Sequence, residues 1–221
     1  MRELQQLDTT FDTLTNSLNQ FGLNLPNFDF EKSNSINYAR DFNQDLLFQI
    51  NTSLQSYNDL ISDGPTPGES ESNRTQRYLR KFLEKFGLNV SSKVFGDLTD
   101  DYLIEVYSKA HQQIYRSINF FNLSSYDLGA LTFTPWDKLF YRSKEDSEIM
   151  FKTINFLIDN NIEIMTPKIP IHFLTELCSN KKFGYRMHKL ATVTDLETGE
   201  PMGYLTVISV KEVLGKFELV H

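Results

Sequence analysis

YRMHKLATVTDLETGEPMGYLTVISVKE, residues 185–212, is the stretch that decides the fold class. Tyr185, Met187, Lys189, Ala191 and Val193 alternate with Arg186, His188, Leu190, Thr192 and Thr194. That alternation suits a strand, whose successive side chains point to opposite faces, and not a helix. Asp195 to Glu200 contains Gly199 and reads as a turn, and Met202 to Ser209 is rich in β-branched and aromatic residues. The two segments are expected to pair as adjacent antiparallel strands of a hairpin.

Upstream of Pro167 and Pro170 the spacing becomes helical. Ser143-Lys-Glu-Asp opens a helix whose expected inner face is Ile149, Phe151, Ile154, Leu157 and Ile158. Thr134-Pro135 reads as an N-cap with proline at the first helical position, and Ser125 opens a short helical turn. Gln112 to Phe121 fits either a helix end or a strand. Thr99, Asp100 and Asp101 read as a helix start, with Leu103, Val106, Tyr107, Ala110 and Ile114 following at helical spacing. A further helix is expected over about 74–86, capped by Asn73 or Thr75 and stopped by Gly87. Tyr78, Leu79, Phe82, Leu83 and Phe86 form its apolar face; Arg74, Arg77, Arg80, Lys81 and Lys85 make the other side basic. That basic side is a solvated face or a docking surface, with Arg77 and Lys81 as interaction candidates for an acidic partner or for the chain's own N-terminal helices.

At the N-terminus Leu4, Leu7, Phe11, Leu14, Leu18 and Phe21 recur three and four apart, the seam of a coiled coil or of an amphipathic helix. A second helix is expected over 36–61, with Ala39, Phe42, Leu46, Ile50, Leu54, Tyr57 and Ile61 on one face. The seam must pack against that helix or against a second subunit, and the regular spacing favours a homodimer. The expected class is α+β: a helical hairpin or coiled-coil region at 1–62, a linker or exposed loop at 63–73, a helical connector at 74–111 and an α+β domain with an antiparallel sheet at 112–221.

Composition bounds the rest. With 40% hydrophobic residues in 221, including 18 Phe and 10 Tyr, a real core can form. The formal net charge of −7 disfavours nucleic acid as main partner, because phosphate binding needs a basic surface. No apolar run approaches the roughly 18 residues of a membrane helix. The single cysteine, Cys178, cannot form an intramolecular disulfide, which fits the cytoplasm.

From about residue 112 to 213 the sequence resembles a PAS domain. NFFNLSSYDLGAL (119–131) is similar to the family's segment after its second strand. TPWDKLFYRSKEDSEIMFKTINFLIDNN (134–161) is similar to the stretch running into its connecting helix, and 185–212 to its closing hairpin. The resemblance implies two opening strands, short helices, a longer connecting helix and a meander of long antiparallel strands. It also implies a sensory or signalling role through ligand binding and protein association. Of the opening strands only Gln112 to Ile118 is legible, and Ser209-Val-Lys-Glu stands where the family has an Asp-Ile-Thr-type exit motif. A photosensory flavin domain of this family carries its reactive cysteine in an Asn-Cys-Arg context. Cys178 lies in LTELCSNKK, so no flavin–cysteine photochemistry is expected.

Candidate pocket residues are Trp136, Phe121, Phe151 and His172; His111 and His172 are the histidines available to a haem. The histidines are scattered and no cysteine cluster exists, so no metal site is expected. His188 alternates with core positions and is read as solvent-facing. Asp100-Asp101 and Glu145-Asp146 are acid pairs at helix starts, where they favour the helix dipole. No phosphate-loop, dinucleotide, zinc-protease or nucleophile-elbow motif occurs. Two readings of other classes stand beside the sensor: a ligand-free adaptor working through its helical half, and an enzyme of unrecognised type.

Overall fold

The computed structural model describes residues 2–20, 23, 25, 44–62, 66–134 and 136–213. Phe21, residues 36–43 of the second predicted helix and Pro135 lie outside the described residues, as do the side chains of Leu4, Leu46 and Trp136. The class is α+β. In chain order the elements are α1 (Arg2–Gln20), α2 (Gln44–Ser62), α3 (Glu71–Lys85), β1 (Leu88–Val90), a 3-10 turn (Ser92–Phe95), β2 (Tyr102–Ser108) and β3 (Gln113–Arg116). Then come α4 (Phe120–Leu123), α5 (Leu128–Phe133), α6 (Trp136–Leu139), β4 (Phe140–Tyr141), α7 (Lys144–Asp159), β5 (Ile164–Met165), β6 (His172–Glu176), β7 (Lys182–Asp195) and β8 (Pro201–Glu212).

The predicted hairpin is β7–β8. Tyr185 faces Val210, Met187 faces Ile208 and Val193 faces Gly203, all antiparallel. Its turn closes where Asp195 accepts the Glu197 and Thr198 amides at 2.9 and 2.7 Å, with Gly199 at φ 72° in the left-handed region that glycine tolerates. One register shift falls between Met187 and Lys189, a bulge at His188. His188 is therefore not turned out to solvent: its ring lies 4.3 Å from that of Tyr102 and its Nε2 is 2.8 Å from the Ser209 hydroxyl.

The sheet runs β3-β2-β8-β7-β6-β4, with β1 and β5 also paired to β7. Here one expectation fails. Residues 102–116 form the antiparallel pair β2–β3, not a helix. Leu103, Ile104, Glu105 and Val106 are all buried, so β2 is covered on both faces and shows a continuous run with no alternation. An apolar run of that length fits either template until its partner strand is known. The 74–111 connector thus contains strands, and β1 and β2 belong to the sheet.

Helix boundaries follow capping chemistry. α3 begins at Glu71, inside the predicted 63–73 linker, because Ser70 and not Asn73 or Thr75 is the cap; its hydroxyl accepts the Asn73 amide. Gly87 ends the helix at φ 61° as expected. Ser143 caps α7 by accepting the Asp146 amide at 3.1 Å. α5 is capped by Asp127, not opened at Ser125. On α7 the inner face is Met150, Ile154 and Leu157, while Ile149 is exposed.

One apolar core runs from helices to sheet. Leu7, Phe11, Leu14 and Leu18 are buried within this single chain, where α1 lies on α2 and Phe11 meets Phe133 edge-on at 5.2 Å. The seam is thus filled from inside the chain, and these four residues leave no apolar stripe for a second subunit. α2 and α3 cover one sheet face: Tyr115 stacks on Tyr57 at 5.7 Å and meets Phe82 at 4.8 Å. α2 also seals the edge strand β3. The Tyr57 hydroxyl donates to the Arg116 carbonyl at 2.7 Å and accepts the Arg116 amide, and Ser53 donates to the Ile114 carbonyl at 2.6 Å. The other sheet face is roofed by α4 and α7.

Candidate functional site

The strand register places Glu105 and Tyr107 of β2, Arg116 of β3, Tyr185 of β7 and Tyr204 of β8 on the same side of the sheet. Together with Phe120, Leu123 and Ser124 at α4, Phe140 of β4, Arg142 just after it, and Met150 and Ile154 of α7 they enclose a cavity of about 60 Å³. The segment after α4 is tied to the end of β6. Glu176, fully buried at the end of β6, accepts the Ser125 amide at 2.9 Å and the hydroxyls of Ser124 and Ser179. Tyr126 donates to the Leu139 carbonyl and accepts the Leu177 and Cys178 amides at 3.1 and 3.3 Å. Burial and the neighbouring Cys178 push its phenol up to about 12.

Inside, the polar groups are unevenly satisfied. The Glu105 carboxylate accepts from Gln113 at 2.8 Å, Tyr107 at 3.0 Å and Thr206 at 3.5 Å. Arg116, 7% exposed, stacks its guanidinium over Phe120 at 4.0 Å. Its Nε stands 3.9 Å from the Glu105 oxygen, and that buried Nε has no hydrogen-bond acceptor. Arg142 lies over the Tyr185 ring at 5.0 Å and donates to the Met150 sulfur. Burial lowers the Arg142 pKa. Burial also pushes the phenols of Tyr107, Tyr185 and Tyr204 well above their usual range, helped by the Glu105 charge. Such groups donate hydrogen bonds; none is a base or nucleophile poised near neutral pH.

The four predicted pocket residues do not converge. Phe121 lines a second, largely apolar cavity of about 60 Å³ where α2 crosses β3. Phe151 packs edge-on against His111 at 5.1 Å, and His111 lies 3.1 Å from the Tyr204 hydroxyl. His172 is buried beside Tyr185, its Nδ1 on the Pro170 carbonyl at 3.1 Å and its Nε2 without a partner. Trp136 opens α6. Neither His111 nor His172 lines the cavity beside Arg116 and Glu105. Cys178 is exposed, and among the described residues no group of three His, Cys, Asp or Glu could hold a metal ion. The residues that do converge were missed because several strands and the segments between them supply them. The local signals were Glu105 inside an apolar run and Arg142 just before a helix cap.

The basic side of α3 is occupied at home. Arg77 grips Glu69 with two hydrogen bonds of 2.9 and 2.8 Å, Lys85 pairs with Asp59 of α2, and Arg80 covers the Phe95 ring at 3.8 Å. Lys81 also has a partner. Among the described residues no helix is long and apolar enough to cross a membrane. Compared with known proteins, the chain matches no family model and no curated sequence.

Proposed function

We propose that this chain is a PAS-like sensory module that binds a small molecule between its sheet and the roof of α4 and α7 and acts through association with another protein. The carrying observation is the cavity itself: guanidinium, carboxylate and phenol groups buried together in an otherwise apolar space. The order of elements supports the family reading. Two strands, β2 and β3, are followed by short helices α4 to α6, the longer α7, and the antiparallel β6, β7 and β8. The single cysteine supports a cytoplasmic setting.

A route from ligand to partner is built into one residue. Arg116 lines the cavity with its side chain while its backbone is held by Tyr57 of α2. The partner, a second copy or another protein, would read the position of the N-terminal helices. The adaptor reading finds less support, because the apolar seam of α1 is already filled. The enzyme reading finds less support because the cavity's phenols are raised and not poised.

Native mass spectrometry of the purified protein, followed by thermal melting of Leu123→Trp, tests this. A retained small molecule lost in Leu123→Trp supports the module. A ligand-free protein that Leu123→Trp makes more stable would mean the cavity is only a packing void.

A further inference from the structure

We infer that the cavity accepts the carboxylate of a short organic acid, with Arg116 as the binding cation and Arg142 as the second. This rests on the ligand-binding reading above and adds the chemical class of the ligand.

Arg116 carries the argument. A buried guanidinium should have its donors met, since an unpaired buried polar group costs about 1–3 kcal/mol. The nearest carboxylate does not meet the Nε donor. Glu105 is taken up by Gln113, Tyr107 and Thr206, and the Arg116 Nε stays at 3.9 Å with no acceptor. Phe120 covers the flat face of the guanidinium at 4.0 Å. Its N–H groups radiate in the plane of the group, so the edge is what remains for an acceptor, and a planar carboxylate matches that edge. Arg142 supplies a second cation to the lining of the same cavity, over Tyr185.

The remaining features choose among anions. Glu105 in the wall disfavours a dianion such as phosphate by like-charge repulsion. The apolar wall from Leu123, Met150 and Leu174 suits a short hydrocarbon tail. At about 10–15 Å³ per water position, the volume takes about four to six water-sized groups. Propionate is that size.

The test uses the whole chain with propionate, and with propionamide and propylamine as neutral and cationic molecules of similar shape, read by calorimetry and thermal melting. Propionate should bind at least tenfold more tightly than either control. Arg142→Met should weaken it at least tenfold. Arg116→Met alone strands the Glu105 charge, so it is paired with Glu105→Gln; that double variant should lose propionate binding while keeping a cooperative melt. If propionamide or propylamine binds as well as propionate, or if Arg142→Met and the folded double variant bind propionate unchanged, the carboxylate inference falls and the ligand-binding reading survives. If no probe binds and native mass spectrometry finds no retained molecule, both fall together.

Discussion

Gly203 of β8 lies opposite Ser108 of β2. A Cβ at that position would lie 1.9 Å from the Tyr107 carbonyl oxygen and 3.0 Å from the Ser108 Cα. Both are backbone atoms, so no side chain can swing away to relieve the clash. Gly203→Ala should cost about 1–3 kcal/mol or more, as overpacking does, and Tyr107 should shift, since Gly203 pairs with Ser108 and the Tyr107 ring stacks on Tyr204 at 4.9 Å. Chemical denaturation measures it, and wild-type stability in the variant would contradict the β2–β8 register. At this scale the sequence was least legible. Gly203 looks like any glycine in a strand, and Tyr107, Tyr185 and Tyr204 look like any core aromatics. Their meeting depends on which strand pairs with which, and no local pattern encodes that.

Elements were legible in proportion to how one-sided they are. β7–β8, α3 and α7 each present one face to the core over part of their length, and their periods show it. β2 is buried on both faces, and its apolar spacing fits a helix as well as a strand. α1 and the described part of the second helix, 44–61, are helical as the spacing predicts, but the way α2 closes the edge of β3 is not legible in the sequence, because hydroxyl groups add to its apolar face there. Tyr57 answers both backbone groups of Arg116 on the outer edge of β3. Tyr57→Phe keeps the ring stacked on Tyr115 but leaves a buried amide and carbonyl without partners. The expected loss is about 1–3 kcal/mol, with faster hydrogen exchange at the Arg116 amide. Unchanged exchange there would show that another group satisfies the edge.

For the whole molecule, the question is whether the helical and sheet parts stand or fall together. Leu14 is fully buried in a core shared with α5 and the sheet. Leu14→Asp forfeits about 1.5–3 kcal/mol of burial and adds a charge with no partner there. At about 2–4 °C per kcal/mol for a chain of this size, the melting temperature should fall by roughly 6 °C or more, in one transition, with no change in sedimenting mass. Two separate transitions would mean that the helices melt independently of the sheet. A change in mass would mean that α1 joins subunits after all. The lock on β3 carries one more consequence. A bare edge strand is a template on which a neighbouring chain can add its own strand, and the chain after that another. By closing that row from within, Tyr57 and Ser53 act as a terminator of growth. Concentrated solutions of this protein should stay clear on that account, and fibre formation should begin where the terminator is lost.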